Sequence, residues 1–176
     1  MFKFNAYIFQ NNNTMSEESK YIKVHFTKAV HLFCVQRGAK WTLSSHKNFD
    51  YDYFLDGDAK LMVHKEDKEG QEWIFREVYN GLYEIVYDCD SYSMKNRTVT
   101  PSKESSKEQP RLSDKESSLW KLKGKKDNES DSYKVKVQNA FTNEFLFINF
   151  DNTRDSYSYF MALTPDEAKA TEFTMK

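Results

Sequence analysis

Histidine and cysteine ligate zinc, and the first part of this chain carries His25, His31, His46 and His64 together with Cys34. Only His31 and Cys34 stand at a spacing that forms a close ligand pair, so the pattern reads as ordinary strand histidines and implies no metal. Asp50, Asp52, Asp56 and Asp58 surround Gly57, as carboxylates do in a calcium loop. Counted from Asp52, however, the third position is Phe54 and the twelfth is Val63, where oxygen ligands are required. That stretch reads as a solvated hairpin. No serine nucleophile motif, reactive-cysteine context or glycine-rich phosphate loop occurs, so a non-catalytic protein without a cofactor is expected. Two aromatic-polar clusters remain, NFDYDY at Asn48 to Tyr53 and NTRDSYSY at Asn152 to Tyr159. Sugar rings are held by an aromatic face beside side chains that exchange hydrogen bonds with hydroxyls. Tyr51, Asp52 and Tyr53 in the first cluster, and Asp155 and Tyr157 in the second, are the candidate ligand-binding residues.

The elements that must position these clusters follow from a refrain. DKEGQEWIF (Asp67 to Phe75), DKESSLWKL (Asp114 to Leu122) and DEAKATEFTM (Asp166 to Met175) are polar runs that each close on a large aromatic, Trp73, Trp120 or Phe173. The spacings, 47 residues (73 to 120) and 53 residues (120 to 173), define a period of about fifty, which is a repeat signal. Between refrains lie short runs of alternating or continuous apolar residues: YIKVHF from Tyr21, VHLFCV from Val30, KWTLS from Lys40, YFLDGDAKLMV with a turn at Asp56-Gly57, YEIVY, SYSM, YKVKV, EFLFINF, YSYFMAL and TEFTM. The first of these places Ile22, Val24 and Phe26 on one face; VHLFCV, being continuously apolar, predicts a strand buried on both faces. The best helical signal is a single turn over Pro165 to Lys169.

Twelve short strands in three groups of four, each closed by an aromatic, are what a β-trefoil requires. Three such units close a six-stranded barrel under three hairpins, with the aromatics filling its centre. The expectation is an all-β trefoil with units at 21–78, 79–126 and 127–176, preceded by a flexible arm over residues 1–20 with a strand around Phe4 to Phe9. Ile85, Val135 and Val137 join Trp73, Trp120 and Phe173 in the predicted core. Residues 100–111, TPSKESSKEQPR, read as a long exposed loop within the second unit.

At 176 residues with a net charge of −1, the chain is one domain in size and is not a nucleic-acid binder acting by bulk charge. Cys34 and Cys89 sit in apolar runs and read as reduced, buried thiols rather than a bridge. No signal peptide or membrane span is expected. A cytoplasmic monomer or weak dimer follows, with secretion as the alternative should the sequons at Asn12, Asn96 and Asn128 be used.

QEWIF at Gln71 to Phe75, followed by YNGLYEIV, resembles the Gln-x-Trp motif and the succeeding strand of ricin-type β-trefoil lectins. The other two copies carry Ser118 and Thr171 in place of glutamine. The resemblance to trefoils in general covers residues 21–176. The third unit is also similar to fascin-like actin-bundling trefoils, trefoil protease inhibitors and growth-factor-like trefoils. The resemblance implies a carbohydrate-binding module whose partner is a glycan or glycoprotein, and it adds Gln71 to the candidate ligand-binding residues. The alternative is a protein-binding trefoil acting through the 100–111 loop.

Overall fold

A computed structural model describes residues 20–45, 59–65, 71–88, 96–101, 110–113 and 117–176, with backbone alone at 59, 154 and 155. The proposed strand around Phe4 to Phe9, the arm up to residue 19, the Asp56-Gly57 turn, SYSM and Cys89 lie outside the described residues. What is described is all-β: thirteen strands in one antiparallel sheet, and no α-helix among the described residues. The strands are β1 (Tyr21–Ile22), β2 (Leu32–Gln36), β3 (Ala39–Ser45), β4 (Ala59–Lys65), β5 (Glu72–Tyr79), β6 (Leu82–Asp88), β7 (Thr98–Thr100), β8 (Arg111–Ser113), β9 (Trp120–Asp127), β10 (Ser132–Asn139), β11 (Phe145–Asp155), β12 (Ser158–Thr164) and β13 (Phe173–Met175).

Pairing runs from β5 to β6, β6 to β9, β9 to β10, β10 to β13 and β13 to β2. Just before β2, Val30 and Trp73 exchange both backbone hydrogen bonds at 2.8 Å, which joins that segment to β5. Hairpins β3–β4, β7–β8 and β11–β12 stand beside this path. Inside it Trp73, Trp120 and Phe173 are each 0% exposed, and Ile85, Val135 and Val137 are buried with them.

Three local expectations are corrected. The run from Val30 to Val35 is not buried on both faces: Val30, Leu32 and Cys34 are inside, while Val35 is 72% exposed. Only the inward face of this strand meets the core, so its burial alternates despite the apolar sequence. In YIKVHF the alternation holds, with Val24 buried and Phe26 half-buried, but only Tyr21 and Ile22 pair as a strand. Beyond them the Tyr83 hydroxyl accepts the Val24 N–H at 2.9 Å, so a side chain takes the place of a neighbouring strand. The 100–111 segment is not exposed at its ends, since Thr100 pairs with Arg111 and both Thr100 and Pro110 are buried. Residues 102–109 lie outside the described residues.

The expected turn after Pro165 is a 3-10 turn over Glu167–Lys169, capped by Asp166, whose Oδ1 accepts the Ala168 N–H at 3.0 Å. Gly124 meets a steric demand inside β9. A Cβ there would lie 1.8 Å from the carbonyl oxygen of Lys134, so only glycine allows β10 to approach this closely.

Candidate functional site

Strands β11 and β12 keep regular register from Phe145↔Thr164 to Ile148↔Met161, and the next pair is Thr153↔Tyr159. Four residues, Asn149 to Asn152, thus stand opposite the single residue Phe160. Such a bulge re-aims side chains, and the sequence supplies what it needs. The Asn149 Oδ1 accepts the Asp151 N–H at 3.1 Å, a turn in which an asparagine bonds its own backbone two residues on. The Thr153 hydroxyl donates to the Ser158 carbonyl at 2.7 Å and closes the far side.

The bulge places Phe150 against Tyr159 (centroids 4.9 Å apart, planes at 68°) and against Trp41 of β3 (5.9 Å, 72°); Trp41 and Tyr159 meet at 5.1 Å and 77°. All three contacts are edge-to-face, the arrangement ring quadrupoles favour. Trp41 is anchored by donating its indole N–H to the Gln36 carbonyl at 3.0 Å. The tight β2–β3 turn holds Arg37 (φ 50°) and Gly38 (φ 72°) in left-handed conformations between the paired Gln36 and Ala39. It brings the Arg37 guanidinium to 4.1 Å from the Phe150 centroid, so that face of the ring is covered by a cation. The hairpin is docked on β4, where the Lys65 N–H donates to the Tyr157 carbonyl at 2.7 Å, and the Tyr157 side chain is 63% exposed.

An exposed aromatic ring, an exposed carboxylate at Asp151, the amide of Asn152 and the guanidinium of Arg37 are thereby carried on one braced framework. These are the group types, hydrogen-bond acceptors and donors together with an apolar ring, that a hydroxyl-rich ring requires.

Of the sequence-derived candidates, Tyr157 belongs to this framework. Asp155 pairs with Ser158 through its backbone at the hairpin end; Tyr51, Asp52 and Tyr53 lie outside the described residues. Gln71 is half-buried ahead of β5, where its Oε1 accepts the Tyr87 hydroxyl and its carbonyl lies 3.2 Å from the His31 Nδ1. It is engaged within the wall that carries Trp73. Arg37, Trp41, Phe150 and Asp151 were not singled out from the sequence. Arg37-Gly38 is a legible turn signal, but the packing of that turn on a bulge more than a hundred residues later leaves no local trace.

His46 lies outside the described residues, and the other three histidines stand apart. His25 is exposed, His31 lies 3.6 Å from Glu72, and the His64 Nε2 is 3.3 Å from the Ser45 carbonyl. No group of three or more metal-ligating side chains gathers among the described residues. Burial pushes the Cys34 thiol up to about 12, which makes it a poor nucleophile at neutral pH. No described helix is long and apolar enough to cross a membrane. Neither a protein-family model nor a curated protein matches the chain.

Proposed function

We propose that the chain is a β-trefoil of three four-stranded units that serves as a non-catalytic glycan-binding module of the ricin-like type. Threefold repetition of the register supports the fold. Val30↔Trp73, Tyr83↔Trp120 and Val135↔Phe173 recur as equivalent pairs, and four residues after each first partner come Cys34, Tyr87 and Asn139. Tyr87 and Asn139 then pair onward with Trp73 and Trp120.

The observation that carries the function is the bulged β11–β12 hairpin, which packs Phe150 and Tyr159 on Trp41 under the Arg37 guanidinium and carries the exposed Tyr157 and Asp151 on the same hairpin. In this reading Tyr157 is the platform, while Asp151, Asn152 and Arg37 take the sugar hydroxyls. Gln71 holds the barrel wall, and the partner is a glycan or glycoprotein. Tyr51, Asp52 and Tyr53 are the first unit's counterpart site.

A glycan array run with the wild type, Tyr157→Ala, Tyr51→Ala and a deletion of residues 102–109 tests this. Binding that falls at least tenfold in a tyrosine variant and persists in the deletion supports it. Absence of any glycan signal overturns it, and a lysate partner captured only when residues 102–109 are present establishes the protein-binding alternative.

A further inference from the structure

The outward face of β9 and β10 carries a concentration of positive charge. These strands pair over eight positions, from Ser132↔Asp127 to Asn139↔Trp120. Leu122, Gly124, Val135 and Val137 point inward and are buried. The opposite face carries Lys121, Lys123 and Lys125 on β9 with Lys134 and Lys136 on β10, and the register sets Lys125 directly across from Lys134 and Lys123 across from Lys136. Like charges directly opposite destabilise a sheet, and two such pairs stand side by side in a chain whose net charge is −1. Part of this charge is engaged within the fold: the Lys123 side chain is only 15% exposed, and Lys134 acts on the Asp127 carboxylate. Lys123 pairs with Glu167 at 3.0 Å, and the Glu167 carbonyl accepts from Lys136 at 3.4 Å.

A second feature adjoins this face. The turn after β10 leaves Phe141 77% exposed, and the turn is rigidly built. Asn139, fully buried, accepts the N–H groups of Phe141 and Thr142 at 3.0 Å each and donates to the Ser118 hydroxyl at 2.8 Å. The Ala140 N–H donates to the Leu119 carbonyl at 2.8 Å, which ties the turn to the head of β9, two residues from Lys121. A buried asparagine thus fixes an apolar ring in water at the end of a lysine ladder.

We propose that this face docks the protein on an anionic membrane surface, with Lys121, Lys125, Lys134 and Lys136 on the lipid headgroups and Phe141 entering the interface. Positive charge alone binds a membrane weakly and reversibly, and stable attachment takes a second, apolar signal; the two occur here together. A lipid surface fits better than a nucleic acid. The face is built from lysine, a point charge, and lacks the planar arginine fork that reads phosphates in two-point contacts. A single strand would need an open aromatic face on which to stack. Tyr21 is 52% exposed on this ladder, but the Lys121 and Lys123 ammonium groups lie 4.9 and 5.0 Å from its ring centroid and its hydroxyl donates to the Gln138 Oε1 at 2.6 Å. A soluble polyanion would leave Phe141 with no apolar partner.

The test is co-sedimentation of the full chain with vesicles of phosphatidylcholine alone or mixed with phosphatidylserine, beside binding to soluble heparin. The wild type should partition onto the mixed vesicles only, and salt should release it because exposed charges are screened within about 10 Å at 0.1 M. Replacing Lys125, Lys134 and Lys136 by glutamine should lower partitioning by about a hundredfold, near fivefold per lysine. A cooperative melting curve should show the same variant folded. Phe141→Ala should lower partitioning about tenfold and leave heparin binding unchanged. Equal sedimentation with both vesicle types, or a lysine variant that is folded and still partitions like the wild type, overturns the proposal. So does a Phe141→Ala protein with undiminished partitioning, which leaves the ring no part in attachment, and heparin binding without vesicle partitioning assigns the face to a soluble polyanion instead.

Discussion

The corners at Trp73 and Trp120 are built alike, and the corner at Phe173 reaches the same burial by different chemistry. At the first two, the indole N–H donates to a buried carbonyl, that of Leu43 at 3.2 Å and that of Val99 at 2.9 Å. Phenylalanine has no donor, and the carbonyl in the corresponding place, Leu146, takes the backbone N–H of Thr171 at 3.1 Å. The Thr171 hydroxyl in turn accepts the Ile148 N–H at 2.9 Å. A buried carbonyl must find a donor, and when the closing aromatic lacks one, a residue two positions earlier supplies it. Gln71 and Ser118, which hold that earlier position at the other corners, bond instead to Tyr87 and Asn139. An irregular refrain is therefore compatible with three equally dry corners.

Removing a corner outright is the most severe test. Trp120→Ala should cost about 3–5 kcal/mol in denaturant unfolding, because a wholly buried indole leaves a cavity that strands locked in register cannot close. Making the third corner like the others comes next. Phe173→Trp brings an indole N–H to a carbonyl already occupied and extra volume to a full core, for a loss of about 1–3 kcal/mol. Its Tm should fall by about 2–4 °C per kcal/mol. The reverse exchange, Trp73→Phe, keeps a ring but orphans the Leu43 carbonyl; roughly 1–2 kcal/mol should be lost. A simultaneous Gln71→Thr change that leaves this loss undiminished would show that the third corner's device does not transfer.

The smallest effect is electrostatic and belongs to the second corner, where Ser117, three residues before Trp120, donates to the Glu84 carboxylate at the surface. Arg76 donates to the same group through Nε at 2.8 Å and Nη2 at 2.5 Å. The Ser117 hydrogen bond, with Arg76 next, holds Glu84 below the usual carboxylate range. Its stabilisation is thus fully present above the unfolded carboxylate pKa and is lost as pH falls through the lower, folded value. Glu84→Gln should flatten that part of a stability-versus-pH curve and leave Trp73→Phe and Phe173→Trp responses untouched.

The all-β class and most strands are decided by local patterns: alternation in YKVKV, EFLFINF and YSYFMAL, Gly81 at φ 81° after Asn80, and glycine at the Arg37-Gly38 turn. The three closing aromatics were legible because burial on a fifty-residue period needs a large apolar residue at each return. Tertiary structure alone decided which faces stay dry, since Val35 is as apolar as Val30 and differs only in having no core on its side. It also decided the candidate site. Arg37, Trp41, Phe150 and Tyr159 come together only because β11 bulges where the β2–β3 turn lies against it, a contact between distant segments with no local signature. The lysines at 121, 123, 125, 134 and 136 are plain in the sequence, but that they oppose one another depends on register. Register is a property of two strands, and each strand's own pattern determines only which of its side chains face out.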